Sequence, residues 1–412
     1  MVVSTGDRTK AAVAALSVWQ RRIPLDYAEK TVNSIRVAVI HSFYSESVPS
    51  GENVVVNAQV EALQSAGFEV RLIAARTDEL SAAKLYKIST AFNVATGLGI
   101  SPMQQIREFQ PDIIHVHNLF PNFSTRWLDE WEGPLVATLH NFRPVCAAGT
   151  LFRDSSPCSL CPDRGSIHSV LNGCYKGSSV ASIPLAVRNR GGISKDRLLT
   201  RADRILVLSE RARSMYERAG IDSQRVQILE NFVSGNGFQP ERPAGNHWVY
   251  LGRLADEKGI LSLMAHWPVD QQLLIYGDGP LRSRVAAESR KNIQYMGPVP
   301  RAEIPTILAK SRGLVFPSAW AEGAVPLTYI EALAAGRPVV ASSGNAAADD
   351  IADNGTGLVL DSWTELGQAL EAVRRDLPTF CSRARDHYDL NFGTAQWIEN
   401  ISDLYTNLIQ SR

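Results

Sequence analysis

The sequence lacks an excess of charge of either sign, and it lacks any long hydrophobic run. Its 412 residues include 42 basic and 42 acidic side chains, so no overall field attracts nucleic acid or an anionic membrane. The longest apolar run near the N-terminus, residues 11–19, has nine residues, whereas a bilayer-spanning helix needs roughly 20, and no small-residue cleavage site follows it. We therefore expect a cytoplasmic protein that does not bind nucleic acid.

Cysteine is also scarce, but four of the five cysteines fall within 29 residues. Cys158 and Cys161 form a CxxC pair, with eleven residues between Cys146 and the pair and twelve between the pair and Cys174. Four thiolates at this spacing can form a tetrahedral structural zinc site. The alternatives are reduced thiols packed in a loop, or disulfides, which a cytoplasmic location disfavours.

The composition excludes a disordered chain. Hydrophobic residues make up 45% of the sequence and charged residues 20%, a balance typical of soluble globular proteins. At about 150 residues per domain, the length allows two to three domains with large cores.

Short apolar runs alternate with segments of helical period. The first predicted strand, residues 36–40, leads through a Ser/Pro/Gly loop into a predicted helix at 53–65. Further β-branched runs of the kind that parallel sheets need lie at 69–74, 112–117, 135–140, 204–208 and 225–229. They predict a doubly wound α/β domain over residues 35–233, with a Cys-rich insert at 146–174 and an N-terminal extension at 1–34.

A segment rich in Gly, Pro and Asn, residues 234–246, predicts an interdomain linker. The strand pattern then restarts at 248–251, 272–276, 293–296, 313–316, 338–341 and 357–360, which predicts a second Rossmann-like domain over 247–394. The last segment, 395–412, carries a helix with no strand after it, a candidate to cross back to the first domain. Two such domains place a ligand cleft between the carboxyl ends of their strands.

Several loops at predicted strand ends carry candidate binding residues. Gly51 begins the first helix, where backbone N–H groups can hold a phosphate or a sugar, although an ordinary helix cap explains it equally well. Arg253 and Lys258, in GRLADEKG, place two cations where a diphosphate can bind, against the alternative of a solvated charge run. Gly277, in YGDGP, ends a strand in a tight turn, and turn chemistry alone can account for it.

Two carboxylates and one histidine complete the set. Glu322 lies in a Gly/Pro loop and Glu331 in the following helix; each can accept sugar hydroxyls, or each can simply pair with the helix dipole. His140 ends an apolar strand, which by position alone favours a core histidine. His117 and Asn118 are candidate acceptor contacts.

These motifs resemble those of family 4 retaining glycosyltransferases of the GT-B fold, of a bacterial type with a cysteine-bearing insert. The resemblance rests on GRLADEKG, YGDGP and the two glutamates before EALAAGRPVVAS, and on SGENVVVNAQVEALQSAGFEV, IIHVHNLF and VATLHNF in the first half. It implies that the first domain binds the acceptor and the second a nucleotide sugar.

The resemblance also implies roles for individual residues. Arg253 and Lys258 would bind the donor diphosphate, Glu331 the ribose, and the region of Val299 the base. Glu322 would contact the donor sugar, with Gly277 also on the nucleotide side. His140 would face the transferred sugar, and Gly51 the phosphate and the acceptor. The two glutamates are separated by eight residues where the family has seven, so the place of Glu322 depends on how the extra residue is accommodated.

The expected reaction is hexosyl transfer from a nucleoside-diphosphate sugar to a hydroxyl of a glycan, a glycolipid or a small molecule, with retention of the anomeric configuration. No carboxylate pair suited to a covalent intermediate stands out, and the two cations can replace Mg²⁺, so no catalytic metal is expected. The family favours cell-surface polysaccharide or glycolipid biosynthesis. The alternatives are a nucleotide-sugar epimerase, a glycan phosphorylase of similar architecture, or a non-catalytic sugar-nucleotide-binding protein.

A basic stretch at residues 188–204 holds six basic residues against two aspartates. A solvated helix face explains it most simply, and attraction to an anionic acceptor or to membrane lipid is the functional alternative. We therefore keep peripheral contact with the inner face of a membrane as an expectation.

Overall fold

The computed structural model describes residues 35–46, 50–154, 156–238, 245–318, 320 and 323–411. The predicted extension at 1–34, residues 239–244 of the predicted linker, and Glu322 lie outside these described residues.

The first domain is built on a parallel sheet. Its strands are β1 (Arg36–Phe43), β2 (Glu69–Arg76), β3 (Ile113–Asn118), β4 (Leu135–Leu139), β7 (Arg204–Val207) and β8 (Val226–Ile228), with a small antiparallel hairpin of β5 (Phe152–Arg153) and β6 (Ser156–Pro157) between β4 and β7. The order across the sheet is β2-β1-β3-β4-β7-β8.

The second domain repeats this plan with a second parallel sheet. Its strands are β9 (His247–Leu251), β10 (Gln272–Tyr276), β11 (Ile293–Gly297), β12 (Gly313–Phe316), β13 (Val339–Ser342) and β14 (Gly357–Leu360), in the order β11-β10-β9-β12-β13-β14. In both sheets the strand order reverses beside the first strand, and ligands of open parallel sheets bind outside the carboxyl ends of the strands at that point. The predicted fold of two Rossmann-like domains is confirmed.

Helices surround both sheets. Those before the second sheet are α1 (Gly51–Ser65), α2 (Thr77–Ser81), α3 (Tyr86–Thr96), α4 (Met103–Phe109), α5 (Leu160–Arg164), α6 (Ile167–Leu171), α7 (Ser179–Asn189), α8 (Arg197–Arg201) and α9 (Glu210–Arg218). Those after it begins are α10 (Ile260–His266), α11 (Arg282–Ala287), α12 (Ile304–Ala309), α13 (Leu327–Ala334), α14 (Ala346–Asn354), α15 (Leu366–Arg375), α16 (Leu377–Asn391) and α17 (Thr394–Gln410). Short 3₁₀ helices lie at Arg126–Asp129, Ile193–Lys195, Ser223–Arg225, Asp256–Lys258, Arg301–Glu303 and Trp363–Glu365.

Alternation along the strands explains why each sheet is covered on two faces. In β1, Ala38 and Ile40 belong to one hydrophobic core, whereas Val37 and Val39 belong to another. Successive side chains of a strand point to opposite faces, so an all-apolar strand needs helices on both. In β9, neighbouring residues are likewise divided between two cores.

The last helix returns to the first domain. Trp397, Ile401 and Tyr405 of α17 are buried in the core that contains Val37 and Val39 of β1. The chain therefore passes between the domains twice. At the return, the N–H of Val233 donates to the carbonyl oxygen of Phe392 at 3.2 Å, which ties the two crossings together.

The loop after β12 joins the two domains. Ala324 forms an isolated parallel β-bridge with Leu208, and the Oγ of Ser209 donates to the carbonyl oxygen of Gly323 at 3.4 Å. The carboxyl end of β7 therefore meets the loop that follows β12 across the interdomain cleft. Within the described residues, no helix combines the length and the apolar character that crossing a bilayer requires.

Candidate active site

Four histidines lie together at the carboxyl ends of the first sheet. The ring of His117 is 4.2 Å from that of His115, 5.2 Å from that of His140 and 6.4 Å from that of His41, between centroids. His117 Nδ1 and His140 Nε2 share a hydrogen bond of 2.9 Å. Strand β3 brings His115 and His117 to one face of the sheet because they are two residues apart.

Burial keeps these imidazoles neutral. It lowers the pKa of His115 and of His140 to about 3 and that of His41 to about 4, and it holds the pKa of His117 well below its ordinary value. One ring of the His117–His140 pair therefore donates to the other without carrying a net charge. A neutral His140 can form hydrogen bonds with a sugar hydroxyl, but at pH 7 it has no additional proton to donate as a general acid.

His115 and His140 differ in how their ring nitrogens are used. His115 Nδ1 bonds the hydroxyl of Tyr405 at 2.6 Å, and its Nε2 bonds that of Thr138 at 2.7 Å. Both nitrogens are thus satisfied inside the protein, so His115 has the surroundings of a structural histidine. His140 is the member of the cluster at the end of its strand, beside the interdomain loop.

The helix that begins at Gly51 is capped by its neighbour. The Ser50 side chain accepts a hydrogen bond from the N–H of Asn53 at 3.3 Å, which leaves the Asn53 side chain to bond His41 and Tyr44. A Cβ built on Gly51 would meet no described protein atom within 4 Å. The glycine therefore leaves open space beside the helix N-terminus and relieves no clash.

Glu52 is a buried carboxyl beside this opening, and it is absent from the set of site residues predicted from the sequence. Its Oε2 accepts a hydrogen bond from Asn141 at 3.1 Å, while its Oε1 is buried with no hydrogen-bond partner, 4.0 Å from His41 Nδ1. Burial raises the pKa of Glu52 to about 7, against the opposing charge of Arg143. Acidic residues are common in the first turn of a helix, so the sequence position of Glu52 did not indicate a functional role.

On the facing domain, Arg253 and Lys258 follow β9. The guanidinium of Arg253 is about half exposed, with Nη1 3.7 Å from Glu257 Oε1. The Lys258 ammonium lies 4.8 Å from the centre of the Trp320 ring, a cation–π distance. Because Trp320 belongs to the loop after β12, Lys258 lies beside the same loop that contacts the first domain.

Close backbone approach holds the strand-end loops of this domain together. A Cβ on Gly277, whose φ is +146°, would lie 1.9 Å from the carbonyl oxygen of Gly252. A Cβ on Gly259, at φ +67°, would lie 2.0 Å from that of Pro317. Gly277 therefore allows the loops after β9 and β10 to meet, and Gly259 fixes Lys258 against the chain that leaves β12.

Glu331 is buried in the middle of α13, with 2% of the residue exposed. Its Oε1 pairs with Arg301 Nη2 at 2.8 Å, whereas its Oε2 is buried without a hydrogen-bond partner. Burial raises its pKa to about 7, and Arg301 opposes that rise. Arg301 lies two residues beyond Val299, which is half-buried against the second core.

The structure thus places Gly51, Glu52 and His140 on the first-domain side, and Arg253, Lys258 and Glu331 in the second domain. Gly323, the residue after Glu322, packs against the first domain: a Cβ there would lie 3.3 Å from the Phe142 ring and 3.8 Å from the His140 carbonyl oxygen. Glu322 itself is outside the described residues, so its contact with a donor sugar stays a prediction.

The four clustered cysteines are half-buried thiols. Burial, followed by the charges of Cys146, Cys174 and Cys158 in that order, raises the pKa of Cys161 to about 11. The four thiols therefore lie near one another. In the part of the chain that the structure describes, no group of three or more His, Cys, Asp or Glu side chains is arranged to hold a metal ion. The zinc site stays a prediction.

Comparison with sequence families assigns both domains. Residues 49–234 match the family described as Glycosyltransferase Family 4, and residues 245–376 match Glycosyl transferases group 1. No curated protein matches the sequence. The chain has the two domains of a GT-B glycosyltransferase.

Solved structures share the fold of this glycosyltransferase at low sequence identity. Sucrose-phosphate synthase from Thermosynechococcus elongatus is 17% identical with a TM-score of 0.66, over 92% of this chain and 100% of that one. HepE from Anabaena, solved with UDP-glucose, is 15% identical with a TM-score of 0.58, over 90% and 100%. The lipopolysaccharide outer core galactosyltransferase WaaB is 17% identical with a TM-score of 0.55, over 92% and 99%.

Proposed function

We propose that this glycosyltransferase moves a hexose from a nucleoside-diphosphate sugar to a hydroxyl acceptor with retention of the anomeric configuration. The observation that carries the proposal is the placement of Arg253 and Lys258. Both follow the first strand of the second sheet, and Lys258 lies against the loop that contacts the His140 segment of the first domain. Two cations at this point suit a leaving diphosphate at the mouth of the cleft.

The proposed step needs no covalent bond to the protein. The glycosidic bond from C1 of the sugar to the β-phosphate oxygen breaks, and the acceptor oxygen forms the new bond to C1 on the same face. The proton of the acceptor hydroxyl passes to the departing phosphate oxygen. Arg253 and Lys258 stabilise the charge that grows on the diphosphate, a contribution of the kind that fixed charges make in a water-poor site.

Glu331 and the neighbourhood of Val299 form the proposed nucleoside site. The unpartnered Oε2 of Glu331 can accept a ribose hydroxyl, and binding would satisfy a buried polar atom that otherwise has no partner. HepE was solved with UDP-glucose, which makes a uridine nucleotide the first donor to test here.

The first domain would present the acceptor. Neutral His140 would hydrogen-bond the transferred sugar, with Gly51, His117 and Asn118 toward the acceptor, and Glu322 on the donor sugar. We place the enzyme in the cytoplasm and assign it to cell-surface polysaccharide or glycolipid biosynthesis. The transfer would need no catalytic metal. WaaB acts on lipopolysaccharide outer core, which supports a glycolipid acceptor.

The cysteine cluster enters the proposal as a structural zinc site. Cys146, Cys158, Cys161 and Cys174 would hold one zinc ion and fix the segment that leaves the cleft after His140. Metal analysis of the purified protein tests this: about one equivalent of zinc, lost with folding in chelator, supports it. Less than half an equivalent, with folding unchanged in chelator, overturns it.

The reaction is tested with a panel of nucleotide sugars, with and without acceptor extracts, by following nucleoside diphosphate release and the anomeric configuration of the product by NMR. Acceptor-dependent release with an α-linked product from an α-linked donor supports the proposal. An isomerised donor without glycoside would identify an epimerase, and dependence on inorganic phosphate would identify a phosphorylase. Binding without turnover would identify a non-catalytic protein.

A further inference from the structure

Exposed hydrophobic side chains are concentrated on one part of the first domain. Of the thirteen large hydrophobic residues exposed in the described part of the chain, ten lie in residues 85–100 or 167–187. Scattered exposed hydrophobics need no explanation on a soluble protein, but a cluster marks an interaction surface.

These side chains form stripes on helices that pack together. Leu85, which directly precedes α3, and Ile88 and Phe92 within it recur with spacings of three and four residues. Their exposed fractions are 67%, 68% and 56%. Helix α7 repeats the pattern with exposed Val180, Ile183 and Val187, at 76%, 46% and 37%. Such spacing places each set on one face of its helix.

Helix α7 joins the stripes into one surface. It packs against α3 on one side and against α6 on the other, and α6 adds exposed Ile167 and Leu171. The opposite side of α7 is anchored in the domain through buried Leu185 and Ala186. We call the set of eight side chains the α3–α7 face: Leu85, Ile88, Phe92, Ile167, Leu171, Val180, Ile183 and Val187.

The chain around this face is positively charged although the whole protein is neutral. Residues 80–106 and 165–195 contain no Asp or Glu. They carry six cations, Lys84, Lys87, Lys176, Arg188, Arg190 and Lys195, of which all but Arg188 are exposed. Arg188 is engaged by Asp196 at 3.3 Å. Apolar stripes on two segments that carry cations and no carboxylates have the charge pattern that an anionic lipid surface attracts.

A cavity of about 640 Å³ lies between α3 and α7, lined by the ends of both helices. Apolar side chains such as Leu119, Phe120 and Phe123 form part of its wall, and Arg190 and Lys195 lie on it as well. The rest of the lining is polar and includes one acid, Asp196, against four cations, which are Arg188, Arg190, Lys195 and Arg197. A recess that is part apolar and part cationic suits a lipid chain attached to an anionic headgroup. The same domain carries the candidate acceptor side of the cleft, to which α7 is tied by the Asn189 side chain, which donates to the Arg143 carbonyl oxygen at 2.9 Å.

We propose that the α3–α7 face binds the surface of an anionic lipid bilayer, with its apolar stripes in the boundary between headgroups and acyl chains and its cations on lipid phosphates. The proposal goes beyond the proposed transfer reaction and does not depend on it. A second copy of the chain is a poorer occupant, because a two-fold contact of this face with itself would bring like charges together.

The test is flotation of the full chain with vesicles of phosphatidylcholine alone, or with a third of the lipid as phosphatidylglycerol. We expect binding to the anionic vesicles that weakens with salt. Ile88→Gln with Phe92→Gln should reduce the partition coefficient at least tenfold, because both side chains leave the apolar stripe. Lys84→Gln with Lys87→Gln should reduce it about fivefold per lysine.

Matched controls use the same changes elsewhere. Val269 and Leu390 are exposed by 87% and 70% outside the face, so Val269→Gln with Leu390→Gln should leave vesicle binding unchanged. Lys291→Gln with Lys310→Gln controls for the loss of two exposed lysines.

The proposal is overturned if the wild type fails to float with anionic vesicles, or if the control variants lose as much binding as the face variants. It is also overturned if the wild type sediments as a dimer that Ile88→Gln with Phe92→Gln dissociates. Nucleoside diphosphate release from the donor in the presence of a water-soluble acceptor, measured separately, keeps these outcomes distinct from failure of the transferase proposal.

Discussion

At the residue scale, burial moves the ionisable groups around the cleft toward their neutral forms. The histidines of the first domain have lowered pKa values, while Glu52 and Glu331 have pKa values raised to about 7. The two carboxyls also share a second property, since each has one buried oxygen without a hydrogen-bond partner. Such atoms are costly to leave unpaired, and hydroxyl donors from a bound sugar or ribose would pair them.

Glu331 gives a pH-dependent prediction for nucleotide binding. If a ribose donates to the carboxylate, UDP affinity should fall as the pH drops from 8 to 6, because the unliganded carboxyl takes up a proton with a pKa of about 7. Glu331→Gln should weaken binding by about tenfold to a hundredfold at pH 8, the equivalent of ~1.5–3 kcal/mol for a charged hydrogen bond, and should abolish this pH dependence.

Isothermal titration of UDP at several pH values measures both effects. Glu288→Gln serves as the control. Glu288 is an exposed residue directly after α11, and it pairs with Arg284 of that helix. A Glu331→Gln protein that binds UDP as tightly as the wild type, with the same pH profile, would contradict the assignment.

His115 gives a prediction for stability. Its pKa is about 3 in the folded protein against an ordinary 6.5, so below pH 6.5 the unfolded chain binds a proton that the folded chain does not. The free energy of unfolding should therefore lose about 1.4 kcal/mol per pH unit for this group as the pH falls. In His115→Gln that loss disappears, so the difference in stability between variant and wild type should shrink by about 2 kcal/mol between pH 7.5 and pH 5.

Urea unfolding at pH 7.5 and pH 5 measures this difference. His266→Gln is the matched control for the loss of a histidine, because His266 is exposed at the end of α10. A constant difference for His115→Gln over the same range would show that His115 titrates normally in the folded protein.

At the element scale, two glycines in the loops that follow strands, Gly277 and Gly51, have different structural roles. Gly277 sits at φ +146° with no room for a side chain, whereas Gly51 has open space around it. The sequence alone suggested the same role, ligand contact, for both. Structure separates them because the contact that Gly277 makes is with the backbone of Gly252, which is 25 residues earlier in the chain and cannot be read from local spacing.

Alanine at each position gives opposite outcomes. Gly277→Ala should destabilise the protein by at least about 2 kcal/mol, from backbone strain and the clash with the Gly252 carbonyl. Gly51→Ala should leave stability unchanged or raise it by up to about 1 kcal/mol, since alanine favours a helix, but it should reduce transfer if ligand occupies the open space. Thermal unfolding and nucleoside diphosphate release measure the two effects. Full activity in Gly51→Ala would remove that residue from the site.

At the scale of the whole molecule, much of the fold follows from the sequence. Buried strands such as β10 and β12 have the predicted ends because both faces of a parallel strand are apolar, so the whole strand stands out from its polar loops. Helix α1 begins two residues before its predicted start because Ser50, not Asn53, provides the cap. The exposed apolar stripes of α3 and α7 were not predicted. In a sequence, an apolar helical period normally indicates a buried face, and only the structure shows that these side chains are exposed.

The candidate site is less completely predictable. Motifs at strand ends pointed to Arg253, Lys258 and Glu331, because carboxyl ends of parallel strands share one edge. Glu52 and Arg301 were not recognisable, as each acts through a partner far away in the chain: Asn141 for Glu52, and Glu331 for Arg301. Pairings of this kind depend on how the loops fold over the cleft, and no local pattern encodes them.

The central claim is that Arg253 and Lys258 stabilise a departing diphosphate between the two domains, and the most direct test is the turnover number of their neutral variants. We predict that Arg253→Gln and Lys258→Gln each lower kcat by ~10²–10³ with thermal unfolding unchanged, while Arg284→Gln and Lys291→Gln, which remove exposed charges elsewhere, keep full activity. Wild-type turnover in the Arg253 and Lys258 variants would contradict the account.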